Sequence, residues 1–245
     1  MLRTYWQASR APRYSLLFAL PLLIIYQILA ALAPPGPGGV GVRNGADVVL
    51  ESVFMWLAGV WGPRLFMVCL IAVGAWIIAK DVRTNRGSLS PAVVGGMLIE
   101  SICLALVFGI AVGGLTAGLL GAPPPPMVLG IPGERLGRWT LLMLSIGAGI
   151  YEELLFRVVL VGLLAWGANK LFGWRPLVAG IVATVLGALI FSAFHYIGPY
   201  GDPLDLYSFV FRTIAGLFFS GLYLLRGFGI TAWTHALYDV FLLLR

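Results

Sequence analysis

An all-α, polytopic membrane bundle of about eight helices is the fold class this sequence predicts, on three observations. The chain of 245 residues is 60% hydrophobic and only 11% charged, with a mean hydropathy of +0.96. Soluble domains average about a quarter charged and under half apolar. The apolar residues come in runs near the roughly 20 residues that a helix needs to cross the hydrocarbon core. The basic residues gather at the ends of those runs, with Arg3, Arg10 and Arg13 before the first and Lys80, Arg83 and Arg86 between two later ones. Loops of that kind orient membrane helices with their positive ends in the cytoplasm. A disordered chain is excluded, and a water-soluble domain does not fit. The net charge of +6 is scattered rather than laid out as a basic face with stacking aromatics, so nucleic acid is not an expected partner. Cys69 and Cys103 sit in apolar runs and supply neither a disulfide framework nor a Cys-rich zinc module.

The first run, Tyr14 to Ala33, is long enough to span and lacks the small-residue cleavage site of a signal peptide, so it reads as a retained helix. A Pro/Gly-rich loop follows from Pro34 to Gly39. Asp47 to Gly62 is shorter and partly amphipathic, a half-helix or a surface segment. Arg64 to Ala79 is the next run, ended by the basic loop Lys80 to Arg86. Placing both basic segments in the cytoplasm requires that Asp47 to Gly62 does not cross. Pro91 to Gly121 is long enough to span with tilt and carries Glu100; the tetraproline Pro123 to Pro126 then stops any helix. Trp139 to Asn169, Pro176 to His195, Leu206 to Leu225 and Ile230 to Leu244 complete the set, with Lys170 and Arg175 on the inner side. No internal repeat and no soluble domain is apparent, so residues 1–245 read as a single integral membrane domain.

Ionisable residues inside apolar runs are few: Glu100, Glu152, Glu153, Arg157, Arg212, Asp239 and the two histidines, His195 and His235. A charged residue at a helix centre costs about 2.5–3.5 kcal/mol on insertion scales and is tolerated when paired or when lining a polar cavity. Glu153 and Arg157 are four apart and share a face; Glu152 points about 100° away and is left without a local partner. Phe191 and His195 are also four apart. His235 and Asp239 form another such pair, in which the carboxylate is expected to orient the imidazole and select its tautomer. Glu100 matches no motif and is expected to pair with a residue such as Arg212. The bland reading of each group is a structural ion pair or a satisfied buried histidine, and it fits Glu153 with Arg157 best.

Convergence of these groups in a bundle fits water activation. A carboxylate takes the proton of a water with help from an imidazole, while a second histidine and an acid stabilise the oxyanion at the attacked carbonyl. Two histidines and a glutamate holding a zinc ion fit as well, although no H-E-x-x-H occurs. Serine chemistry of the rhomboid type wants G-x-S-G, and Phe218-Phe219-Ser220-Gly221 lacks the leading glycine. Aspartyl chemistry wants two intramembrane aspartates, one in G-x-G-D, whereas Gly198-Pro199-Tyr200-Gly201-Asp202 has one residue too many and lies in a loop.

Glu152-Glu153-Leu154-Leu155-Phe156-Arg157 matches E-E-x-x-x-R, Phe191 to His195 matches F-x-x-x-H, and His235 to Asp239 matches H-x-x-x-N/D. In order and separation these resemble the CPBP (Abi) family of intramembrane endopeptidases, which includes the type II CAAX prenyl proteases. The likeness covers 139–245, the expected catalytic core. It implies a cavity inside the bilayer with Glu152 as the water-activating carboxylate and His195 as its partner. His235 and Asp239 would form the oxyanion pair, and Glu153 and Arg157 would support the site. Asp239 departs from the frequent asparagine, and an ionised aspartate cannot donate to an oxyanion. The resemblance favours a metal-free mechanism with no cofactor; zinc, held by Glu152, His195 and His235, is the alternative. The implied partners are the lipid bilayer and a membrane protein or peptide substrate, with a C-terminal sorting tail or a prenylated tail. A compact, loop-poor chain suits the plasma (inner) membrane of a bacterium. Two other classes stand beside this reading: a proton-coupled transporter, against which no inverted repeat is visible, and a non-catalytic scaffold or immunity protein, against which all three motifs are intact.

Overall fold

The computed structural model describes residues 2–34, 41–85, 88–121, 136–198 and 201–244. Most of the Pro34 to Gly39 loop and all of the tetraproline lie outside them. The fold is all-helical: α1 (Leu2–Ser9), α2 (Pro12–Leu32), α3 (Gly45–Ala58), α4 (Gly62–Thr84), α5 (Pro91–Leu120), α6 (Arg138–Gly147), α7 (Gly162–Phe172), α8 (Pro176–Phe194), α9 (Leu206–Arg226) and α10 (Phe228–Leu243). A π-helical stretch, Ala148–Val161, joins α6 to α7 in one rod. Proline opens α2, α4, α5 and α8, where its missing N–H has no partner to lose. Asn44 and Asp205 cap α3 and α9 through their side chains.

Five stretches are long and apolar enough to cross a membrane: Pro12–Leu32, Gly45–Thr84, Pro91–Leu120, Pro176–Phe194 and Leu206–Arg226. Each buries a third or less of its most apolar window, as helices facing lipid do. By contrast, half of α10 is buried, and it packs against α2, α5, α6, the π-helical stretch and α9. α10 is therefore the axis of the bundle, and the site residues sit on it, on the π-helical stretch beside it and at the end of α8.

The chain reverses direction at Gly59, whose φ of +56° is open to glycine at little cost. α3 thus folds back on α4, bringing the Phe54 ring to 5.3 Å from Phe66. At the other end of α4, Arg13 donates to the Asn85 carbonyl at 2.7 Å and pairs with Asp81 at 3.4 Å. The start of α2 and the end of α4 therefore lie together, as the basic segments lead one to expect, with α3 folded back along α4. The expected loop at Lys80 is instead helix as far as Thr84, because no breaker precedes Asn85. Ser192 donates to the Phe209 carbonyl at 2.7 Å, so α8 and α9 run antiparallel and Arg175 returns to the same basic end.

Glu100 joins a cluster that the sequence reading assigned differently. Its carboxylate pairs with Arg226 at 2.6 and 2.7 Å and accepts from Tyr5, whereas Arg212 pairs with Asp202. Arg226 also donates to Ser9 at 2.8 Å and lies 3.9 Å from the Trp6 ring. The cluster clamps α1, a helix too short to announce itself by periodicity, onto α5 and α9. Burial and the hydrogen bond to Glu100 push the Tyr5 phenol up to about 12, so it stays a donor at physiological pH.

The rod meets α10 at Gly149, where an added methyl would overlap the Ala232 carbonyl and the Ala236 side chain. Small residues permit such close crossings in membrane bundles. Gly149→Ala is expected to destabilise by about 1–3 kcal/mol. Gly221→Ala, which meets open space, should be neutral or slightly stabilising; thermal unfolding in detergent compares the two. In the same assay Arg226→Met, which strands Glu100 in the bundle, should cost about 3 kcal/mol.

Candidate active site

The π-helical stretch carries Glu152, Glu153 and Arg157. Its i→i+5 hydrogen bonds widen the turn, and π segments recur at functional sites. A wider turn puts fewer degrees between neighbouring residues than the α-helical 100°, and both glutamates are buried. The expectation that Glu152 points away from its neighbour's partners holds in one respect: the two carboxylates use different partners.

Glu153 has no exposed surface. Its Oε2 lies 3.2 Å from Arg157 Nε on the same helix, and its Oε1 lies 2.7 Å from His235 Nδ1 on α10. An ionised carboxylate only accepts, so Nδ1 carries the proton and Glu153 selects the tautomer of His235. Asp239, which was expected to do this, has Oδ2 at 3.8 Å from Nε2, beyond hydrogen-bond length. The i,i+4 spacing brings Asp239 near the ring without reaching it, because the ring is drawn toward the rod. Phe219 stacks on His235 with centroids 4.4 Å apart. The Arg157 guanidinium lies over Phe191 at 4.4 Å and over Phe219 at 5.5 Å, a cation–π arrangement that supports a buried cation.

His195 follows the last turn of α8. Its Nδ1 is 2.8 Å from the Phe191 carbonyl, which can only accept, so Nδ1 carries the proton and Nε2 is left as an acceptor in the neutral ring. This accounts for the F-x-x-x-H spacing: four residues place the imidazole over the preceding turn, with the Phe191 ring edge-on at 4.9 Å. Nε2 stands 3.9 Å from Glu152 Oε2. That separation is too long for a direct hydrogen bond and short enough for one water to bridge. The other oxygen of Glu152, Oε1, accepts from Asn44 Nδ2 at 3.0 Å. Sequence reasoning missed Asn44. The local signal, an N-cap residue before an apolar segment, tells of a helix start and not of the carboxylate 108 residues away.

Glu152, His195, His235 and Asp239 are thus brought to one place by three neighbouring elements, with Glu153 and Arg157 behind them. The side chains of His195 and Asp239 are 24% and 17% exposed, against 9% and 7% for Glu152 and His235, so the open edge of the site lies on the His195 and Asp239 side. Arg212 lies beside this edge, held by Asp202 and stacked on Tyr196 at 5.3 Å. Among the described residues, no three of His, Cys, Asp or Glu form a group arranged to hold a metal. Glu152 and His195 approach each other, but His235 directs one nitrogen to Glu153 and the other toward Asp239. No step below is routed through a metal.

No curated protein and no solved structure matches the chain. A family model does, over residues 134–241, a little under half of the chain, and it is described as Type II CAAX prenyl endopeptidase Rce1-like. That span holds all three motifs and every ionisable group of the site, and over 134–241 this helical membrane protein is similar to the Rce1-like type II CAAX prenyl endopeptidases.

Proposed function

We propose that this protein is an intramembrane endopeptidase that hydrolyses a peptide bond of a membrane-embedded or lipid-anchored substrate by a glutamate-activated water. The observation that carries the reading is the facing pair of free acceptors. Glu152 Oε2 and His195 Nε2 stand 3.9 Å apart, while the remaining polar atoms of both side chains are already engaged by Asn44 and the Phe191 carbonyl. A water donating both its protons to this pair keeps its oxygen lone pairs for attack. Glu152 takes one proton as the oxygen adds to the substrate carbonyl. The resulting oxyanion falls to the His235 side. With Nδ1–H held by Glu153, this step requires a second proton on Nε2, and the Nε2–H of that imidazolium donates to the oxyanion while Asp239 lines the edge. Collapse breaks the C–N bond, and the proton held by Glu152 passes to the departing amine, returning the carboxylate.

Glu153 and Arg157 hold His235 in place and do not touch the reacting atoms in this scheme. The substrate enters from the His195 and Asp239 edge. Its expected form is a C-terminal tail, either prenylated or a sorting tail, in the plasma membrane of a bacterium. A proton-transport reading gains no support from this arrangement, in which the polar groups close on one another at a single point.

Quantitative mapping of new protein termini in host membranes tests the reading. Specific cleaved ends present with the wild type should vanish with Glu152→Gln, His195→Ala and His235→Ala, each expected to lower turnover by about 10²–10⁴-fold. Unchanged termini from folded, expressed variants would overturn it.

A further inference from the structure

We infer that Asn44 is a positioning residue for Glu152, holding one carboxylate oxygen so that the other faces His195. The inference rests on Glu152 being the water-activating carboxylate. It adds to the site a residue outside the three motifs and outside residues 134–241.

Asn44 is buried, and each end of its amide has a different task. Ala46 N–H donates to Oδ1 at 2.9 Å, so that atom must be the oxygen, and the NH₂ group is the one directed at Glu152 Oε1, 3.0 Å away. The backbone N–H of Asn44 donates to the Tyr26 hydroxyl at 3.1 Å, and Tyr26 donates in turn to Asp47 at 2.7 Å. Arg43 ties Asp47 to Glu51 at 2.6 and 2.9 Å. The residue is therefore fixed from behind as well as through its own cap.

A helix cap needs only the oxygen, and serine or aspartate serves as well as asparagine. The donor to Glu152 is what asparagine alone adds, and this separates the two roles. Asn44→Ser and Asn44→Thr keep a cap oxygen, and their shorter side chains place no donor within reach of Glu152.

The experiment follows Glu152 directly, by the isotope-edited infrared carboxyl band of glutamate, identified by its loss in Glu152→Gln. In Asn44→Ser the band should shift while the thermal midpoint stays within a few degrees of wild type. On an internally quenched, farnesylated CAAX-type peptide in proteoliposomes, kcat should fall about tenfold or more with KM unchanged, as expected when a hydrogen bond to a charged group is lost. An unmoved band in folded Asn44→Ser, or an unchanged kcat, would overturn the inference. Should the serine variant not fold, the same readings on Asn44→Thr decide it. Should wild type leave the peptide uncut, the endopeptidase reading loses its support while the band still decides the role of Asn44.

Discussion

A carboxylate withdrawn from water must find its counter-charges inside the protein, and Glu153, with no exposed surface, is the group on which the rest of this bundle depends. Arg157 meets one of its oxygens from the same helix, and His235 meets the other from α10. Satisfying both at once demands that the rod and α10 cross closely and in one register, and Gly149 against Ala232 and Ala236 permits this. With that crossing set, Phe219 reaches the His235 ring and Phe191 reaches the guanidinium, so α9 and α8 are drawn to the same point. The four helices around the site are thus arranged about one buried charge.

The two adjacent glutamates are chemically identical and structurally opposite. Glu153 has one oxygen bonded to an imidazole and the other held by the charge of Arg157 at 3.2 Å, which makes it a fixed point. Glu152 has one oxygen committed to Asn44, while the other faces an imidazole across a gap. A carboxylate whose free oxygen faces a neutral acceptor across a gap is suited to proton transfer, and one held between a cation and an imidazole is suited to holding others still. The wide turn of the π-helical stretch lets consecutive residues serve both purposes on the interior side.

Interactions within one helix were legible in the sequence; interactions between helices were not. The spacing of Glu153 with Arg157 and of Phe191 with His195 led directly to contacts that exist, because four residues on a helix return to the same face. That same logic assigned the His235 tautomer to Asp239, when the better acceptor came from another helix. Glu100 was matched with Arg212 in place of Arg226 for a related reason: both arginines lie on α9, and only the docking of α1 and α5 decides which end of α9 Glu100 meets. The π-helical turn leaves no clear periodic signal, and the eight-residue α1 is amphipathic over too few turns to stand apart from the basic segment around it. The return of α4 to the start of α2 was legible from charge, since the basic residues on both sides of α3 were expected to share one end.

The polar network behind Asn44 carries a further argument about why the N-terminal half is built as it is. Tyr26, Arg43, Asp47 and Glu51 bring charges and hydroxyls to a region of lipid-facing helices, and Asp47 Oδ1 is buried there without a hydrogen bond among the described residues. Networks of this kind tend to cost stability relative to well-packed apolar side chains of the same volume. A bundle shaped by stability alone would place leucine or phenylalanine at these positions. What the network achieves is rigid: it seats the amino end of α3 against the rod and delivers one amide to one carboxylate oxygen. The first forty-odd residues thereby supply the second side of a pocket whose ionisable groups all lie beyond residue 134, and the cost of the network is offset by the precision with which Glu152 is held.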